Sequence, residues 1–149
     1  MKKVISLIMV VLMLTMPMVA SAENLFDRVL IPQAASTRGS GTSTTIGQWH
    51  ISAGVTRGTN SSSVGYAYAW TNITWMGYPS NPTDLCYTQT AAIVTYNDGS
   101  YASNNSVYYS GSTNCQAIDN SAVGKTVTRA QGAHLAESGG QDWTTSTSY

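Results

Sequence analysis

The sequence predicts an all-β chain, built as a small antiparallel β-sandwich, with a small β-barrel as the alternative. Three observations carry that reading. From residue 46 onward apolar and polar side chains alternate with period two, turn-forming residues interrupt the pattern every ~8–15 residues, and no stretch of this region holds an apolar stripe at helical spacing. Six or seven short strands follow, in an order that periodicity alone does not fix.

The chain opens on Lys2 and Lys3, followed by an apolar run over residues 4–16, Pro17, and the small residues Ala20, Ser21 and Ala22. A positive start, a short apolar stretch and a small-residue cleavage site are the parts of a secretory signal peptide, expected over residues 1–22. The apolar run falls short of the ~20 residues that a membrane-spanning helix requires, so no integral membrane anchor is expected there. Residues 23–45 read as an N-terminal segment or linker. Leu25, Phe26, Val29 and Leu30 recur at helical spacing before Pro32 ends the pattern, which fits a short helix packing on the body or a propeptide. Residues 34–45 are rich in Ser, Thr and Gly and read as a flexible linker or exposed loop.

The body of the protein is then residues 46–149. Trp49, Ile51, Ala53 and Val55 share one face of a strand, opposite His50, Ser52 and Thr56, because successive side chains alternate across a strand. A turn over residues 58–63 leads to the most regular alternation in the chain, where Val64, Tyr66, Tyr68 and Trp70 oppose Gly65, Ala67, Ala69 and Thr71. Trp49 and Trp70 are read as core, since a chain with one Phe must fill its interior with other rings. Residues 77–84, with Pro79 and Pro82, form a loop. Residues 85–96 make a third strand, and the turn at Asn97, Asp98, Gly99 and Ser100 joins it to residues 101–109 as a hairpin, because an Asp-Gly pair accommodates positive φ. A short strand around Cys115 follows, then one carried by Val123, Lys125, Val127 and Arg129, and a last one around Trp143 after Gly139 and Gly140.

Charge excludes several function classes. The chain holds 7 Lys+Arg and 7 Asp+Glu, with charged residues at 9%. Loss of Lys2 and Lys3 with the signal would leave a slight acidic excess. Nucleic acid is therefore not an expected partner, because it is held by clustered cations. Cys86 and Cys115 are an even pair in a chain expected to enter an oxidising compartment, and are read as one disulfide.

Catalytic signals are absent. The only imidazoles are His50 and His134, no Gly-x-Ser-x-Gly elbow or paired-Cys or His-Glu-x-x-His motif occurs, and neither a metal nor a cofactor is expected. Asp84, Asp98, Asp119 and Asp142 sit beside turn-formers, where carboxylates accept backbone N–H groups. His134 with Ser138, Glu137 or Asp142 makes only a combinatorial triad.

Four Trp and nine Tyr point instead to contacts that are half apolar and half wet, such as sugar rings or protein surfaces. The candidate contact patch is Trp75, Tyr78 and Tyr109. The reading is a secreted, non-catalytic sandwich that binds or coats at the cell surface or on extracellular glycans, with carbohydrate or a cell-surface protein as partner. The alternative is a small exported antimicrobial or toxin-like protein of bacteriocin type.

Overall fold

The computed structural model describes residues 37–38, 41–78 and 82–149. The expected signal peptide, the segment 23–36 and Pro79 lie outside them. Ten strands follow in order: β1 Thr37–Arg38, β2 Gly41–Ile46, β3 Trp49–Thr59, β4 Gly65–Trp75, β5 Tyr87–Tyr96, β6 Tyr101–Asn105, β7 Tyr109–Ser110, β8 Thr113–Ile118, β9 Val127–Ser138 and β10 Gln141–Ser148. They form two sheets, one of order β2-β3-β4-β8 and the other of order β1-β10-β9-β5-β6, with β7 also on β5. Every pairing is antiparallel except that of β1, which runs parallel to β10. The described residues contain no helix. The sheets face each other, β4 against β5 and β9, and β8 against β5 and β6, which makes the fold sandwich-like.

The Asn97–Ser100 hairpin forms as its residues dictate. Gly99 takes φ 83°, Asp98 accepts from the Ser100 N–H at 3.0 Å, and Lys125 Nζ reaches Asp98 at 2.7 Å. Those contacts hold the Asp98 carboxyl well below the usual carboxylate range, the Lys125 bond being the largest influence. Three elements depart from expectation. The Ser/Thr/Gly run becomes strand β2 from Gly41 onward, an edge strand paired to β3. Thr42 and Thr44 are half-buried there, so threonines do the work that apolar residues do elsewhere. Residues 123–126 are not strand, with 123 and 124 in a turn, and the strand expected from Val123 starts at Val127 and runs on to Ser138.

The third departure concerns the interior. On β4 the small residues face inward: Ala67, Ala69 and Thr71 are fully buried, while Tyr66, Tyr68 and Trp70 are half-buried on the outer face. Trp70 is thus not core, although Trp49 is. Small residues also face inward from the opposite sheet, at Ala92, Ala130, Gly132 and Ala136. Side chains this small bring two sheets close enough that a Trp on the inner face of β4 would have no room. One apolar cluster gathers Val55, Val64, Val94, Tyr96 and Cys115, and the other Ile46, Trp49, Ile51, Cys86 and Ala136.

Between the two clusters runs a belt of polar side chains, all buried. Thr90 Oγ1 donates to Thr71 Oγ1 at 2.7 Å, and Thr71 Oγ1 lies 3.0 Å from His134 Nδ1. His134 Nε2 lies 2.8 Å from Thr147 Oγ1. Thr113 Oγ1 is 2.9 Å from both Thr90 and Thr88, and Thr88 donates to the Gly111 carbonyl. A hydroxyl has one proton to give. Since Thr71 receives from Thr90, its own proton goes to His134 Nδ1, leaving Nε2–H to donate to Thr147. Neutral His134 satisfies the belt, and protonation would set two protons against each other at Thr71. Burial likewise pushes the His134 pKa down, to about 3. Gly132 is required beside it, because a Cβ there would stand 2.7 Å from His134 Nε2 and 2.8 Å from Thr147 Oγ1.

The expected disulfide does not form: Cys86 and Cys115 are separate, buried thiols. Cys115 Sγ lies 3.4 Å from the Thr90 carbonyl, whereas Cys86 sits four residues back along the chain, about 13 Å away at the ~3.3 Å rise of a strand. A bridge needs Cα atoms within ~7 Å. Burial pushes both thiols up, Cys115 to about 11. The cysteine count therefore carries no information about redox compartment.

Three outcomes are expected. The unfolded His134 titrates near ~6.5 and the folded one far below, so the unfolded state binds the extra proton and stability falls as pH drops, by about 2 kcal/mol between pH 7 and 5. Urea unfolding across that range should show this loss in the native protein and little of it in His134→Gln. Gly132→Ala should cost about 2–3 kcal/mol in the same assay at pH 7, by wedging apart a buried hydrogen bond. Reductant should leave the thermal midpoint unchanged, and a thiol reagent should modify two cysteines after denaturation but none quickly before it.

Candidate functional site

Because β4 turns its small residues inward, it must turn its large ones out. Tyr66, Tyr68 and Trp70 stand at every second position, so they form a row about 7 Å apart along the strand. Tyr68 and Trp70 have ring centroids 6.2 Å apart and planes inclined by 26°. The neighbours of the row follow from register. On β3 these are Gly58, Thr56 and Gly54, opposite Tyr66, Tyr68 and Trp70 respectively. On β8 they are Ile118, Gln116 and Asn114 in the same order. Asn72, Thr74, Ser52 and His50 continue the same face.

Gly58 is what lets the Tyr66 ring lie against β3. A Cβ at that position would stand 2.5 Å from Cζ and Oη of Tyr66, so the ring lies over a bare stretch of backbone. The result is a shallow aromatic surface with amides along one flank and hydroxyls at its end. No Asp, Glu, Lys or Arg is among the row and these neighbours. Rings of this kind offer an apolar face, and the amides of Asn114 and Gln116 both donate and accept hydrogen bonds. Such a surface suits a flat ligand with many hydroxyls.

The sequence-derived patch lies elsewhere. Trp75 ends β4 on its inner side and is half-buried, its ring edge-on to Trp49 at a centroid distance of 5.1 Å. It props the second apolar cluster and does not form an open contact. Tyr78 is 95% exposed in the loop after β4, and Tyr109 is exposed on β7. The chain carries all three to the same end of the fold, where Ser112 Oγ accepts from the Ile73 N–H and the Cys86 carbonyl from the Gly111 N–H.

That same end holds an open groove of about 560 Å³ between Leu85, Tyr87, Tyr108, Glu137, Gln141 and Asp142. The rings of Tyr87 and Tyr108 stack in parallel 5.2 Å apart, and the Tyr108 hydroxyl donates to Glu137 Oε2. Burial first, and the Glu137 carboxylate second, raise the Tyr108 pKa, so the phenol stays protonated. His134 shares neither this groove nor a bond with Ser138, whose hydroxyl donates to the Leu85 carbonyl.

Sequence reasoning missed Tyr66, Tyr68 and Trp70 as surface residues. The signal was present in the tiny residues between them, since an interior made of Ala and Thr has no place for the rings. Among the described residues no group of three or more His, Cys, Asp and Glu is arranged to hold a metal ion. Comparison of the chain with family models, with curated proteins and with solved structures returns no match.

Proposed function

We propose that the protein is a secreted, non-catalytic β-sandwich module that binds neutral carbohydrate outside the cell through the outer face of β2-β3-β4-β8. The observation that supports this most directly is the row of Tyr66, Tyr68 and Trp70, with the Tyr66 ring over Gly58 and the row flanked by Asn114 and Gln116. Sugar rings carry C–H groups on their faces and hydroxyls at their edges. Three aromatic faces in line match the former, and the amides match the latter. The absence of charge from the row and its neighbours favours neutral glycans over anionic ones, because an uncharged face gains nothing from a polyanion. The signal-like start of the sequence supports an extracellular setting.

Retention on insoluble neutral polysaccharides, cellulose and chitin, and on isolated bacterial cell wall tests the reading. Native protein should be retained on at least one. Trp70→Ala and Tyr68→Ala should each weaken retention about tenfold, equivalent to about 1.4 kcal/mol, at an unchanged thermal midpoint. Tyr78→Ala and Tyr108→Ala, at the far end of the fold, should leave it intact. Failure of the native protein to bind any of these supports overturns the reading, and loss on Tyr108→Ala alone moves the site to the end groove.

A further inference from the structure

We infer that the groove at the end of β5, β9 and β10 is a binding site in its own right, which takes a small organic cation: an ammonium group held by Glu137 and Asp142, with an apolar stem laid along Tyr87, Tyr108 and Leu85. The inference does not depend on carbohydrate binding. Glu137 on β9 is directly opposite Asp142 on β10, and on its other side directly opposite Tyr87 on β5. Residues opposed in this way share a face, so one ring and two carboxylates stand in a row across three strands, with the Cβ atoms of the two acids about 5 Å apart. The Tyr108 ring stacks on Tyr87, and its hydroxyl donates to Glu137 Oε2, which leaves the second oxygen of that carboxylate to a ligand.

Two like charges directly opposite each other weaken a strand pair. A Lys or Arg alongside would offset them, but among the described residues the cations are Arg38, Arg57, Lys125 and Arg129, and all of these lie at the opposite end of the sandwich. Arg38 pairs with Ser148, Arg57 donates to the Val127 carbonyl, Lys125 bridges to Asp98 and Arg129 pairs with Thr95. Of the described charged residues the groove end holds Asp84, Glu137 and Asp142, all acidic. Charge is thus segregated along the molecule, and the groove is where a cation from outside gains most.

The hairpin that carries the two acids is tight and bare. Ser138 and Gln141 close a two-residue turn in which Gly139 and Gly140 both have positive φ, 57° and 75°, the geometry that matches the twist of antiparallel strands. No side chain at either position stands over the groove, whose volume of about 560 Å³ is that of a small-molecule site. Its other walls select the kind of cation. A calcium ion asks for at least ~6 oxygens and gains nothing from carbon. The faces of Tyr87 and Tyr108 attract a cation through their ring charge and also cover an alkyl stem. Two carboxylates beside two rings and a leucine therefore fit an ammonium with carbon behind it, and repel an anion.

Three probes that share one stem test the inference: hexylammonium, hexanol and hexanoate, titrated at neutral pH into the isotope-labelled full chain and followed by amide chemical shifts. Hexylammonium should move the amides of residues 137–142 saturably, with an affinity at least about tenfold above that of hexanol. Hexanoate should leave them in place. Glu137→Gln and Asp142→Asn should each weaken hexylammonium about tenfold. Because Asp142→Asn also removes one of two opposed like charges, it should hold or raise the thermal midpoint of the unliganded protein, which separates lost binding from lost folding. Equal affinity for hexylammonium and hexanol, no saturable shift at residues 137–142, unchanged affinity in either variant, or a lowered midpoint in Asp142→Asn would each overturn it. So would calcium chloride moving these amides where hexylammonium does not.

Discussion

The hydrogen-bonded belt through Thr113, Thr90, Thr71, His134 and Thr147 is the constraint around which the two sheets are arranged. An apolar contact tolerates sliding, since dispersion and burial have no preferred direction. A chain of hydroxyls with one proton each does not, and leaving any member unpaired in a dry interior costs about 1–3 kcal/mol. The belt joins β4 and β8 of one sheet to β5, β9 and β10 of the other, and so fixes the register of one layer on its partner. It does what a covalent cross-link was expected to do, and among the described residues no buried side-chain polar atom is left unsatisfied.

The belt also explains the size of the residues around it. Threonine hydroxyls and an imidazole meet only if the sheets come close, which demands alanine and glycine beside them, as at Ala69, Ala92 and Gly132. Large rings are then displaced outward on β4 and kept inside only at the ends, as with Trp49 in one cluster and Tyr96 in the other. The Tyr96 hydroxyl donates to the Gly65 carbonyl and accepts from the Asp119 N–H, so even the large ring is tied into the backbone. The outer aromatic row follows from the same packing that makes the interior narrow.

Much of this was legible in the residues. Period-two alternation located β3 and β4, and the Asp98-Gly99 turn located the β5–β6 hairpin, because each signal is local and its physics is complete within a few positions. Other features depend on partners that periodicity cannot see. Which face of β4 turns inward is decided by the opposite sheet, so Trp70 was assigned to the wrong side. β2 carries no apolar alternation because it is an edge strand whose threonines need only be half-buried. Cys86 and Cys115 invited pairing by number, whereas their separation is set by how β5 and β8 cross. Of the candidate patch, the exposure of Tyr78 and Tyr109 followed from their loop and short-strand settings. Trp75 lies inward because its register partner on β3 is Trp49.

The parallel pairing of β1 with β10 has a bearing on how the protein is made. Thr37 meets Thr147, and the Tyr149 amide and carbonyl close onto Ala130, so the earliest and the latest described strands are neighbours in one sheet. Such distant partners make assembly slow, since loop entropy is spent before the contacts that reward it exist. A ribosome holding residues 141–148 would withhold the strand on which both β9 and β1 rely, and the chain stays open until translation has passed them. An unfolded interval of that kind is what passage through a narrow translocation channel would need.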